Sequence, residues 1–309
     1  MKYFKENGAS LRWIATGLLF TLFWASASTA TKYGLEVAEP LVIALTRFGF
    51  ASLLILIVAH GILKYNLPKG KQWTMLLVYG LLNITIYLGL YVLAMQKVTA
   101  GIGALAVATN PLFIGFLSVV FLKERLRPVI LAALFLGIAG VVVASYPLLQ
   151  NASVSWGGLL IMLISMLSYS AASVYFNRKD WGDLKILTIN GWQTLIGGLM
   201  LLPFAMLYYH NKANHFTLKF FGSVLWLAVF VSIFAIQCWL WLLKKDAVKA
   251  SMWLFLTPIF GFGIAAVFLH DIISLFTVIG VILVIVALVI SQLNKNEQQI
   301  IQEELTINE

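Results

Sequence analysis

Charge is scarce in this chain. Of its 309 residues only 11% are charged and 61% are hydrophobic, where a soluble domain carries about 25% charged residues. So little charge cannot cover a water-facing surface. With a mean hydropathy of +0.94, an ordinary soluble domain is excluded and an integral membrane protein is expected. Cysteine is scarcer still. Cys238 stands alone inside an apolar run, which rules out an intrachain disulfide and a cysteine zinc cluster. The histidines, His60, His210, His215 and His270, are scattered near the ends of apolar runs. There is no Asp-rich motif, no His-x-x-x-His, no Glu-x-x-His and no Gly-x-Ser-x-Gly. A membrane-embedded enzyme is therefore not expected, nor a metal, nor a cofactor, and no residue is given a catalytic role. No Asp or Glu falls within an apolar run, which argues against a proton relay through embedded carboxylates.

What the chain has in abundance is long apolar runs. A helix needs about 20 mostly apolar residues to cross a bilayer. Ten stretches qualify, at roughly 11–31, 40–63, 72–95, 99–121, 128–147, 155–176, 184–208, 218–241, 247–269 and 273–292. The runs are long and do not alternate, so they predict helices and not a barrel. The run behind Lys2, Lys5 and Arg12 lacks a cleavage pattern and is read as a first span, not a removed leader. A polar tail, 293–309, follows the last span.

The formal net charge of +9 is distributed as topology, not as a nucleic-acid surface. With the N-terminus inside, the inner segments carry basic residues in threes. These are Lys2, Lys5, Arg12; Lys64, Lys69, Lys71; Lys123, Arg125, Arg127; Arg178, Lys179, Lys185; and Lys244, Lys245, Lys249. Lys295 follows, and the outer loops hold only Lys32, Lys97, Lys212 and Lys219. This places both termini on the cytoplasmic side of the plasma membrane.

The chain repeats itself. NPLFIGFLSVVFLKE (110–124) returns as TPIFGFGIAAVFLHD (257–271), 147 residues on from Pro111 to Pro258. With the same shift Lys97 and Ala100 meet Lys244 and Ala247, and with a shift of 145 Trp24 meets Tyr169 and Ser28 meets Ser173. Spans 1–5 (11–147) thus correspond to spans 6–10 (155–292). A five-span unit repeated in one chain inserts its second copy upside down, the architecture of alternating access. A duplication that merely marks descent within a static fold is the alternative.

These segments resemble a known family. They are FWASASTATKYG (23–34), PLVIALTRFGFASLL (40–54), TNPLFIGFLSVVFLKERL (109–126) with LGIAGVVVAS (136–145), and FLTPIFGFGIAAVFLHD (255–271) with IGVILVIVALVIS (279–291). Together they are similar to the drug/metabolite transporter superfamily, specifically to proteins with two EamA domains. The resemblance implies an all-α protein of ten transmembrane helices, as two inverted five-helix repeats, often exporting amino acids or other metabolites. The second copy departs from the pattern, with His270-Asp271-Ile272 where Gly-Glu-Arg is common.

Candidate site residues follow from helix geometry. Pro111 and Pro258 kink spans 4 and 9, and Asn110 and Thr257 precede them. The freed carbonyls serve either a ligand or hinge, or only a structural bend. Asn83, Tyr87 and Tyr91 lie at i, i+4, i+8 on one face of span 3. The matching face of span 8 offers Phe230, Phe234, Gln237 and Trp241. Asn83 and Gln237 are costly against lipid, so each faces a wet cavity or an interhelical partner. Trp24 and Tyr169 sit at mid-depth in spans 1 and 6, and Trp253 one turn before Thr257. Trp13, Trp73, Trp156, Trp181 and Trp226 read as interfacial anchors. Arg47, the one cation within a span, is either functional, or snorkels to the nearer surface or pairs with Glu36 or Glu39.

The expected cavity is rich in aromatics, amides and hydroxyls. It suits a small neutral or zwitterionic metabolite, such as an amino acid, moved outward. A passive channel is the rival class. A cysteine at Asn151, in a Cys238→Ser background, is expected to react with an impermeant thiol reagent from outside intact cells. Labelling only after permeabilisation would overturn the orientation.

Overall fold

The computed structural model describes residues 2–122, 128–150, 153–245, 253 and 256–290, and these are helical throughout their long elements. In chain order they are α1 (Lys2–Leu35), α2 (Pro40–Ile62), α3 (Lys71–Met95), α4 (Ala100–Ala108), α5 (Asn110–Leu122) and α6 (Pro128–Gln150). Next come α7 (Trp156–Arg178), α8 (Ile186–Leu207), α9 (Leu218–Leu225 running on through Trp226–Ala235 and Ile236–Lys245), α10 (Thr257–Leu269) and α11 (Leu275–Ile290). Among the described residues, seven helices are long and apolar enough to cross a membrane, and three shorter apolar helices accompany them. The tail 293–309, Glu124, and the Asn151-Ala152 pair lie outside the described residues.

Local chemistry sets the helix ends. Thr99 caps α4 by accepting from the Ile102 N–H at 3.4 Å, and Ser155 caps α7 by accepting from Gly158 N–H at 3.0 Å. Pro40 opens α2, where its missing N–H costs nothing. The expected kink at Pro111 takes the form of a break at Thr109 between α4 and α5. Asp271, just beyond α10, reaches α4 in the other half of the chain, accepting from the Gly101 N–H at 3.4 Å. Burial pushes its carboxyl above the usual range, against the pull of the Gly101 N–H and of Lys32.

Three helices depart from α geometry. Ile57–Ile62 in α2, Leu81–Leu88 in α3 and Trp226–Ala235 in α9 are wound as π-helix. Each such turn carries an extra residue and rotates everything after it.

In lipid no hydrophobic force drives one helix onto another, so close approach and polar contacts hold the bundle. α2 packs on α8, α1 on α9 and α10, α7 on α3 and α5, and α4 on α10. α6 meets α11 where a Cβ on Gly140 would lie 2.8 Å from the Gly280 carbonyl oxygen, so only glycine permits that crossing. The tryptophans expected as interfacial anchors differ in their surroundings. Trp73 and Trp156 are exposed, whereas Trp181 is buried and donates to the Phe176 carbonyl, and Trp226 donates to Ser26.

At one end of the bundle Glu39, ahead of α2, ties down the loop after α8. It accepts from the His210 N–H (3.0 Å) and Asn214 Nδ2 (2.7 Å) and pairs with the His210 ring at 2.9 Å. Desolvation raises the Glu39 carboxyl, but the His210 and Asn214 hydrogen bonds outweigh it and hold it below 4.5. The hydrogen bond to Glu39 raises His210 above 6.5. The raised imidazole stabilises the loop fully below 6.5 and ceases to as pH rises through its folded value. The depressed carboxylate does so above 4.5 and ceases to as pH falls through its folded value. Amide-exchange protection of residues 210–214, corrected for intrinsic rates, is therefore expected to be greatest between about pH 4.5 and 6.5 and to lose that profile in Glu39→Gln. A flat profile in the unaltered protein would show the pair to be screened out by solvent.

Candidate functional site

A cavity of about 550 Å³ lies among α1, α2, α3, α4, α5, α7, α8 and α9, with Thr257 of α10 also lining it. That is within the usual range for small-molecule sites, about 300–1,000 Å³. One side is aromatic. Tyr87 and Tyr169 pack with ring centroids 4.8 Å apart at a tilt of 55°, Tyr91 lies 6.3 Å from Tyr87, and Trp24 and Trp239 complete the wall. The Tyr91 hydroxyl is satisfied by Ser28 Oγ at 3.0 Å.

The other side is polar and continuous. Arg47 of α2 donates from Nε and Nη2 to Ser232 Oγ of α9 at 3.1 and 3.0 Å. Asn190 Nδ2 of α8 donates to the Ser232 carbonyl at 3.5 Å, and Gln193 Nε2 donates to Asn190 Oδ1 at 3.1 Å. Asn83 Nδ2 of α3 then donates to Gln193 Oε1 at 3.1 Å. The chain of hydrogen bonds therefore joins α2, α9, α8 and α3. A side chain from each helix satisfies a neighbour that would otherwise face a dry interior.

The structure sorts the residues singled out from sequence. Trp24, Asn83, Tyr87, Tyr91, Tyr169 and Thr257 line the cavity together. Asn110 lines a smaller adjoining space of about 60 Å³, shared with Trp24, Tyr169 and Trp239. Among the described residues, Asn110 Oδ1 and Thr257 Oγ1 are buried without a hydrogen-bond partner. Both belong to the kink positions before Pro111 and Pro258.

Three residues are corrected. Gln237 is exposed, Trp241 packs against Trp13 with centroids 6.2 Å apart, and Trp253 packs by Phe20, its carbonyl accepting from Thr21. None lines the cavity. The α9 face that turns inward carries Val231, Ser232, Ile236 and Trp239 instead, and Trp253 lies beyond that helix. Four other cavity residues, Asn190, Gln193, Thr194 and Ser232, drew no notice in the sequence. Asn190, Gln193 and Thr194 stand at i, i+3 and i+4 inside an apolar run, a polar stripe that was there to be read. The surface pairing entertained for Arg47 is also corrected, since Glu36 pairs with Lys219 and Glu39 with His210.

A helical bundle of membrane-spanning length around a part-aromatic, part-amide cavity defines a polytopic membrane transporter. The EamA-like transporter family matches residues 11–146 and again 156–292. The chain belongs to this family, within the drug/metabolite transporter superfamily. An uncharacterized transporter of Archaeoglobus fulgidus is 27% identical over 285 residues, covering 90% of this chain and 98% of its own. Protein PecM of Dickeya dadantii is 30% identical over 275 residues, covering 87% and 88%. One solved crystal structure superposes with a TM-score of 0.61 at 18% identity, covering 93% of this chain and 98% of the other. That likeness concerns the fold alone.

The amide ladder makes a direct prediction. Gln193→Leu and Asn83→Leu are each expected to lower the thermal midpoint of the purified protein, and the double variant to cost less than their sum. Coupling of about 0.6 kcal/mol is typical of polar pairs within membrane helices. Strict additivity would mean that cavity water, not the partner amide, satisfies each side chain.

Proposed function

We propose that the protein is an alternating-access carrier of small neutral or zwitterionic metabolites, an amino acid or a close relative, working as an exporter in the cytoplasmic membrane with both termini inside. The observation that carries this reading is the cavity itself. It is walled by both halves of the chain, α1 to α5 on one side and α7 to α9 with Thr257 on the other.

The two halves are read as inverted five-helix repeats, 11–147 and 155–292, giving ten spans. Helix neighbours support the pairing. Exchanging α1 with α7, α2 with α8, α3 with α9, and α4–α5 with α10 turns the α1–α9 contact into α7–α3 and the α1–α10 contact into α7–α5. It leaves α2–α8 and α4–α10 unchanged. The π segments Leu81–Leu88 and Trp226–Ala235 fall at corresponding places in α3 and α9. An approximate twofold relation of this kind lets the halves exchange conformations about a fixed site.

On this reading Trp24, Asn83, Tyr87, Tyr91, Tyr169 and Thr257 contact substrate, joined by Asn190, Gln193 and Ser232. Pro111 and Pro258 serve the hinges. The protein is not an enzyme. The rival is a passive facilitator with the same cavity. Proteoliposomes loaded with unlabelled amino acids are expected to accumulate the labelled counterpart transiently, with saturable rates. Linear, non-saturating flux without counterflow would favour the facilitator, and no flux across an amino-acid and metabolite panel would overturn the substrate class.

A further inference from the structure

Arg47 is the unresolved charge of the cavity. It stands seven residues into α2, about 10 Å along the axis, and is 6% exposed. A guanidinium carries five N–H donors. Two of its nitrogens, Nε and Nη2, converge on the single Ser232 hydroxyl, and the Phe48 ring lies 5.8 Å from Cζ. The nearest acids in sequence, Glu36 and Glu39, are engaged by Lys219, His210 and Asn214. Among the described residues no Asp or Glu lines the cavity, and no second Lys or Arg does.

An arginine within a membrane span costs about 2.5–3.5 kcal/mol even on the mildest scale. Here the cost is met by one hydroxyl and no counter-charge. The remaining donors and the whole charge therefore stay available on the cavity wall. A planar fork of donors matches a carboxylate, which accepts two parallel hydrogen bonds. A phosphate dianion would call for a second cation, and a fully neutral ligand would leave the charge uncompensated.

Building on the carrier reading above, we infer that Arg47, aimed by Ser232, is a carboxylate subsite, and that the substrate presents a single carboxylate to it. The aromatic wall of Trp24, Tyr87 and Tyr169 receives the rest of the molecule. An amino group, where the substrate has one, meets the faces of those rings and not a carboxylate side chain.

The test uses the full-length protein in proteoliposomes and three probes of one shape: an aromatic α-amino acid, its desamino monocarboxylate, and the neutral amide of that monocarboxylate. Wild type is expected to exchange at least one carboxylate probe about tenfold or more better than the amide, the scale of one charge-assisted hydrogen-bond pair. Transport of the amino acid alone, or of both acids, tells which source supplies the carboxylate. Arg47→Gln is expected to abolish the preference, bringing exchange of the carboxylate probes down to that of the amide measured on the same variant, and Arg47→Lys to restore part of it. Ser232→Ala, which removes no charge, is expected to weaken the preference less, and gives the answer if the Arg47 variants do not elute as folded protein. Equal exchange of amide and acid by wild type, or an undiminished preference in Arg47→Gln, overturns the subsite and leaves the carrier intact. Exchange of none of the three, nor of any wider metabolite panel, removes the carrier reading and the subsite with it.

Discussion

A guanidinium inside an apolar bundle has to be held by something, and in this protein the holder is a single hydroxyl from a distant helix. The bond from Arg47 to Ser232 ties α2 to α9. Through the Ser232 carbonyl it is joined to Asn190, Gln193 and Asn83. Remove that bond and the charge keeps only the Phe48 ring among the described residues, while the amide ladder, which ends on the Ser232 backbone carbonyl, is cut off from it. The polar wall of the cavity is thus one connected object, and its existence fixes how the four helices that contribute to it are arranged.

The rest of the bundle is held by closeness. Gly140 and Gly280 let α6 and α11 approach backbone to backbone, and Gly80 and Gly197 do the same for α3 and α8. Such contacts are apolar and short-ranged, so they fix which helices touch without demanding a chemical partner. The polar ladder supplies what they lack, namely direction. Together they leave an interior void bordered by rings on one side and by amides and a charge on the other, and this asymmetry is what orients a bound molecule.

Much of this was legible in the sequence because hydropathy and charge act over whole spans. Apolar runs marked the described helices, and the repeat around Pro111 marked the break at Thr109. Asn83, Tyr87 and Tyr91 reached the cavity because their spacing follows one face of α3. Gln237 and Trp241 did not, because the α9 face that turns inward is the one carrying Val231, Ser232, Ile236 and Trp239. Which face of an apolar helix turns inward depends on packing and has no composition signature. Gln193 was missed for a different reason. Its stripe with Asn190 and Thr194 is present, but three polar residues at i, i+3 and i+4 in an apolar run read equally as interhelical contacts.

The π segments in α3 and α9 have a mechanical meaning. A helix wound this way holds slack, because tightening it to ordinary α geometry frees a residue and swings the far half by about 100°. Tyr87 lies near the end of one such stretch, with Tyr91 one turn beyond it, and Ser232 lies within the other. These side chains are therefore mounted on parts of the scaffold that can turn by exchanging one set of backbone hydrogen bonds for another, with none left unpaired.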